Sequence, residues 1–245
     1  MNWASKMKAA RGLAAATLTV ALAGAAVAGP VVVRSTGPSA RVYPAGRQLP
    51  DNSQLTLRAG DSVVLLDARG TRTLSGPGNF PAVGGSSRVS TVSTASRILA
   101  NQTASERRGG AVRGGTPTGD SRSPNLWFVD LSKSGTVCIA DPKAVRVWRA
   151  SGAKPTEVRI LAGSGSGAIT MPQGATVGDW PKSLPVTSGT EYMVTADGRA
   201  PAKIRFVTVP MPTSIEDTAA QLIAKGCNAQ LDLLIAQTSA APSGG

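Results

Sequence analysis

The side chains able to do covalent or proton-transfer chemistry are few. The chain has two cysteines, Cys138 and Cys227, and no histidine in 245 residues. Without histidine there is no Ser-His-Asp or Cys-His nucleophile pair, no His-ligated zinc and no imidazole base. Two thiols fall short of the four that an all-cysteine zinc site or an iron–sulfur centre requires. Acidic pairs are equally scarce. Glu216-Asp217 are the only adjacent acids, and they read as the first turn of a helix, where carboxylates complement the dipole. Asp67, Asp130 and Asp141 stand alone at turn-like positions. Gly163-Ser-Gly-Ser-Gly167 is glycine-rich but lacks the Gly-Lys-Ser/Thr of a phosphate loop and is followed by a strand-like run, so it reads as a hairpin turn. The expectation is a protein that is not an enzyme and holds no cofactor or metal. A carboxylate-based hydrolase is the least excluded enzyme, because a pair joined only by folding leaves no local pattern.

Two groups of residues are candidates for binding rather than chemistry. Trp127, Trp148 and Trp180 could form an aromatic platform for a sugar, or fill a core at strand spacing. Arg107, Arg108 and Arg113 are the densest basic cluster. They read as part of a solvated linker or as a docking strip for an anionic surface.

The compartment is read from the first 28 residues. Lys6, Lys8 and Arg11 precede an apolar stretch of about a dozen residues, and Ala26-Val27-Ala28 is an A-x-A site. This is the pattern of a cleaved secretory signal peptide, shorter than the ~20 residues of a membrane span. No later segment reads as a span. Cleavage removes three basic residues and no acid, taking the formal net charge from +12 to +9. The excess charge suits solubility or an anionic partner such as lipid headgroups or polysaccharide. Export and the absence of a Lys/Arg-rich run argue against nucleic acid. In an oxidising compartment, one pair of cysteines outside any Cys-x-x-Cys motif is expected to form one structural disulfide closing a loop of about 90 residues.

The elements that must position these residues are mostly strands. Over residues 30–84, Gln54-Leu-Thr-Leu57 alternates, Ser62-Val-Val-Leu-Leu66 is continuously apolar as in a central strand, and Gly-rich turns intervene. Three runs here, Val32-Val-Arg-Ser-Thr-Gly-Pro38, Leu57-x-Ala-Gly-Asp61 with Val63-x-Leu65, and Leu74-x-Gly-Pro-Gly78, resemble the FecR-like β domain of bacterial envelope sensors and regulators. The resemblance covers about 50 of the 245 residues. It implies protein–protein or envelope signalling and brings no catalytic residues. The chain departs from that family in showing no adjacent membrane anchor and no cytoplasmic anti-sigma segment. Residues 85–124, rich in Gly, Ser, Thr and Arg, read as a flexible linker.

Residues 125–238 hold seven or eight short strand candidates at roughly 8–12-residue spacing, as in a β-sandwich. Gly189-Thr-Glu-Tyr192 is similar to the tyrosine corner of immunoglobulin- and fibronectin-like sandwiches. The antibody-type cysteine two residues later is replaced by Val194. The period then becomes helical: Thr213-Ser-Ile-Glu216 reads as a capping box, Gly226 as a stop and Asn228 as a second cap. This C-terminal helical hairpin is expected to pack on the sandwich, with residues 239–245 as a disordered end.

The fold class is therefore mainly β: a small FecR-like domain, a linker, and a sandwich carrying a helical hairpin. The functional expectation is a periplasmic or secreted bacterial protein, non-enzymatic, that binds another envelope protein in a regulatory role. The alternative is a carbohydrate- or peptidoglycan-binding module. Intact-mass measurement on exported protein should find a mature chain beginning at Gly29; a chain still carrying Met1 would remove the basis for assigning the compartment.

Overall fold

The computed structural model describes residues 29–84, 122–196 and 200–239. The expected leader, the terminal residues from 240 and most of the expected linker, including Arg107, Arg108 and Arg113, lie outside the described residues. The remainder is mainly β with two C-terminal helices.

The N-terminal unit has five strands. β1 (Val31–Thr36), β3 (Ser62–Asp67) and β4 (Gly70–Ser75) form an antiparallel sheet with β3 in the centre, and β2 (Gln54–Leu57) pairs with β5 (Gly78–Pro81). The continuous apolar runs follow from two covered faces. Val32, Val63, Leu65 and Leu74 meet Leu55 and Leu57 of the small sheet in one core. Val31, Val33 and Leu66 point the other way into a second core. Strands buried on both faces read as unbroken Val/Leu stretches, whereas β2, covered on one face, alternates.

The three sequence runs given above meet around one residue, Asp61. Asp61 accepts hydrogen bonds from the N–H of Ser39 at 2.8 Å and of Arg58 at 2.5 Å. Its backbone carbonyl accepts from the N–H of Gly76 at 3.0 Å. Burial opposes ionisation of Asp61 and is the largest single influence. The hydrogen bonds from Ser39 and Arg58, with the Arg58 charge, outweigh it and hold the carboxyl below its ordinary value. Gly37, at φ 96°, could carry no side chain, because a Cβ would lie 2.5 Å from the Gly60 carbonyl and 2.6 Å from the Asp61 carboxylate.

The C-terminal unit is a sandwich. One sheet has the order β10 (Gly165–Met171), β9 (Thr156–Ala162), β12 (Glu191–Ala196), β13 (Ala202–Thr208), β7 (Gly135–Ile139); the other has β11 (Val177–Asp179), β8 (Arg146–Trp148), β6 (Phe128–Asp130). Between them lie Val129 and Val147 from the smaller sheet and Val158, Ile160, Val194, Ile204 and Phe206 from the larger. Most pairs are antiparallel, but β7 runs parallel to β13 and β6 parallel to β8. Trp180, Tyr192 and Phe206 stack edge to face with centroids 5.1–5.3 Å apart. The Tyr192 hydroxyl donates to the Pro185 carbonyl at 3.0 Å and accepts from the Thr187 N–H at 2.8 Å. It thus ties the incoming crossover to the start of β12, the geometry of a tyrosine corner. The glycine-rich run 163–167 turns the β9–β10 hairpin. Gly167 packs against the crossover, where a Cβ would meet the Pro181 ring at 2.7 Å, and at Gly165 a Cβ would displace the end of the Leu184 side chain, 2.8 Å away.

Helices α1 (Ile215–Lys225) and α2 (Asn228–Thr238) form the hairpin. The first cap lies one residue later than the sequence indicates. Ser214 accepts from the Asp217 N–H at 3.0 Å, and the Asp217 carboxylate accepts from the Thr213 N–H at 3.1 Å. Aspartate therefore closes the box in place of Glu216. Gly226, at φ 70°, ends α1 with N–H bonds from Gly226 to Ile223 and from Cys227 to Leu222, a Schellman closure. Cys227, not Asn228, is the second N-cap and makes no side-chain cap bond, because its sulfur is committed to Cys138 at a Cα–Cα distance of 5.9 Å.

The hairpin is not simply a cap on the sandwich. Ala219, Leu222, Leu231 and Leu234 share one core with Val31, Val33 and Leu66 of the N-terminal sheet and with Leu126, Cys138 and Val209 of the sandwich unit. The Thr71 hydroxyl on β4 lies 3.2 Å from the Ile235 carbonyl at the end of α2, and Arg34 pairs with Asp232. The two β units therefore share a core through the helices. Ser123 and Leu126, at the junction with the expected linker, are buried there too.

Replacing both cysteines by alanine should lower unfolding free energy by about 2–5 kcal/mol. Denaturant titration of oxidised and double-variant protein checks this. An unchanged midpoint would mean that the apolar core of the hairpin holds the two units together unaided.

Candidate functional site

The site is built where the sandwich lacks a third side. β6 and β7 are the last strands of their respective sheets on the same flank, so the space between the sheets opens sideways there. Helix α2 lies along this opening. A cavity of about 460 Å³ remains between the helix and the β6–β7 connection. Its apolar lining comes from Leu126 and Phe128, Val137 of β7, and Leu233 and Ala236 of α2. The rim carries Arg122, Asp130, Lys133 and Asp232. A recess of this size and composition falls within the range of ligand-binding clefts.

One side chain organises the cleft. Gln230, buried on α2, accepts from the Cys138 N–H at 2.7 Å and donates to the Cys138 carbonyl at 2.9 Å. Its amide nitrogen also donates to the Leu126 carbonyl at 3.0 Å. A primary amide has the donor–acceptor pattern of a peptide group, so Gln230 takes the place of a neighbouring strand for one residue of β7. The geometry fixes which backbone groups of β7 face outward. Since Cys138 turns its N–H and C=O to Gln230, away from β13, period-two alternation turns those of Thr136 the same way. Thr136 lines the cleft, and no hydrogen bond to its outward groups is found among the described residues.

The rim charges differ in their commitments. Asp130 accepts from the Ser132 N–H at 2.9 Å and the Ser132 hydroxyl at 2.6 Å. Asp232 pairs with Arg34 across to β1. Lys133 has no ion-pair partner among the described residues. Phe128 is held by the Arg146 guanidinium 5.4 Å above its ring, and Arg146 bonds Asp179 at 3.1 Å.

The residues singled out from the sequence are dispersed. Cys138 and Cys227 are joined in the disulfide beside the cleft. Trp148 and Trp180 are only 5% and 8% exposed, and Trp180 donates its indole N–H to the Leu184 carbonyl at 2.7 Å. Trp180 belongs to the sandwich core, whereas Trp148 alternates on β8 with the core-facing Val147 and is buried outside that core; neither forms an exposed row with Trp127. Trp127 is half-buried against the core around the helices and lines a separate void of about 30 Å³ with Asp141 and Val145. Among the described residues its indole nitrogen is buried without a partner. Among the described residues, no three of His, Cys, Asp and Glu gather as a metal site would require, and no helix is long and apolar enough to cross a membrane.

Gln230, Thr136 and Lys133 escaped the sequence reading. A glutamine in a helix and a threonine in a strand carry no motif. The available signal was indirect: a polar residue one turn after the Cys227 cap and one residue before Leu231, on a helix facing apolar partners. Comparison with known proteins matches the chain to no family model, no curated protein and no solved structure.

Gln230→Leu should destabilise the fold by about 2–4 kcal/mol, because it leaves the Cys138 N–H and C=O and the Leu126 carbonyl unpaired in a buried place. Gln230→Glu keeps the shape but removes both amide donors and buries a carboxyl, and should cost a similar amount. A variant melting within a degree of the parent would show that water replaces the amide.

Proposed function

We propose that this protein is a non-enzymatic, exported envelope protein that binds another envelope protein in a sensing or regulatory role. The observation that carries the reading is the lateral cleft. It joins an apolar floor, a charged rim and a backbone edge unpaired among the described residues, a combination that supports recognition of a protein segment at the edge. The leader supports export. The three FecR-like runs converge on Asp61, which gives those residues a common structural purpose and supports a sensor-like N-terminal domain. The carbohydrate-binding alternative loses its proposed platform, because Trp148 and Trp180 are buried rather than presented to solvent.

The cleft also sits where regulation would need it. It is lined by α2, which touches both β units through one core, so occupancy of the cleft bears on how the N-terminal sheet is held.

A photo-crosslinking residue placed at Ala229 or Ala236 in the cleft should give a discrete adduct with one envelope protein in intact cells. The same residue at Ser164, in the β9–β10 turn at the far edge of the sheet, should not. Retention by peptidoglycan or glycan in place of any protein adduct would overturn the reading and favour the carbohydrate module.

A further inference from the structure

We infer that the partner docks as an extended strand against the β7 edge at Thr136, with an apolar side chain entering the cleft and a carboxylate beside it. This rests on the protein-binding reading above and specifies its mode. The strongest reason is the Gln230 amide. It already stands in for a neighbouring strand at Cys138, and the backbone groups of Thr136 one step along the same edge point into the same space. An incoming extended backbone would continue the line that Gln230 begins. This is strand addition, in which main-chain bonds give affinity and alternate side chains give specificity.

The surroundings select the segment. Phe128, Val137 and Leu233 offer an apolar recess below the edge, suited to one apolar side chain. Among the described residues Lys133 has no ion pair on the rim, whereas Asp232 is paired with Arg34 and Asp130 accepts only from the neutral Ser132. A carboxylate on the segment, placed at Lys133 and away from Asp130, meets a cation with no ion pair among the described residues. Gln230 also limits the docked length. It closes the edge at Cys138, so the added strand is confined to the Thr136 end and forms a small interface suited to transient signalling. The opposite edge of the sheet, β10, is less suited to the same occupant. Its solvent side presents Ser166, Ala168 and Thr170, and Gly165 and Gly167 are packed beneath Leu184 and Pro181.

The test uses the full, disulfide-bonded chain and an acetylated, amidated heptapeptide of alternating valine and glutamate. Nuclear magnetic resonance titration should shift the amides of Gly135, Thr136 and Val137 and the Gln230 side chain. The same peptide N-methylated at alternate residues, keeping its side chains but losing its donors, should bind about tenfold more weakly or worse, as loss of two hydrogen bonds implies. A valine–lysine peptide should be weakened too. Thr136→Pro removes only an outward N–H and leaves the ladder to β13, a substitution that edge strands tolerate, and should weaken the valine–glutamate peptide to the same degree. If that variant fails to fold, the N-methyl comparison on the parent protein decides. Equal binding of the N-methylated peptide, shifts centred elsewhere, no binding at millimolar peptide, or self-association through β7 in place of peptide binding would each overturn the inference. A crosslinked partner whose capture survives Thr136→Pro would overturn the strand mode while leaving the protein-binding reading intact. Peptide binding without any crosslinked partner would count against that reading instead.

Discussion

The junction of Cys138, Cys227 and Gln230 fixes the placement of everything around it. The disulfide sets where α2 begins, at the edge strand of the larger sheet. Three residues later the Gln230 amide completes the hydrogen bonding of the residue to which that disulfide is attached. One covalent tie and one amide thus lock the helix to β7 in position and in register. The hydrophobic effect alone would hold the hairpin there without choosing among neighbouring registers, because leucine stripes slide at little cost compared with a mispaired buried amide. Once α2 is fixed, the Schellman turn at Gly226 fixes α1, and α1 then presents Ala219 and Leu222 to Val31 and Val33 of β1. The N-terminal sheet is placed last, at the end of this chain of constraints.

How much of this was legible in the sequence depends on the range of the cause. Local causes were readable. The apolar run of β3 announced a central strand, Gly226 announced a helix stop, and Tyr192 announced the corner that its hydroxyl makes with residues 185 and 187. The disulfide followed from compartment and counting. Long-range causes were not readable. Nothing local to Leu222 says whether it faces one sheet or two, so the hairpin was expected on the sandwich alone. The helix start shifted by one residue because Ser214 and Thr213 are equally good caps on paper, and the choice is made by which N–H each can reach. The cleft was invisible for the same reason. Its residues come from β6, β7 and α2, about 100 positions apart along the chain, and carry no shared motif.

The tryptophans show why residue type is a weaker guide than topology. Trp148 is buried on β8 beside the core-facing Val147, and Trp180 sits at an inner position of the sandwich core. An aromatic at such a position buries a large apolar area and needs only one partner for its N–H. Trp180 finds it at the Leu184 carbonyl. The same crossover from Pro181 to Leu184 then presses on β10, and the constraint appears in the sequence as Gly165 and Gly167. The run that reads in the sequence as a hairpin turn is also the imprint of a packed crossover.

Edge strands explain why the cleft and the clamp belong together. An open edge is a template for pairing with any other chain, and proteins shield edges by covering or breaking them. Here α2 covers β7, and Gln230 satisfies the one residue held deepest beneath the helix. Complete shielding would need a second amide facing Thr136. The α2 residues that share the cleft with Thr136, besides Gln230, are Ala229, Leu233 and Ala236, whose side chains neither donate nor accept, and Asp232, which is paired with Arg34. The helix therefore leaves one residue of the edge without a side-chain partner among the described residues. The apolar recess and Lys133 beside it, which has no ion pair among the described residues, turn that opening from a general liability into a selective one, admitting an extended acidic–apolar segment and disfavouring a second copy of a chain whose formal net charge is +12, or +9 without the expected leader.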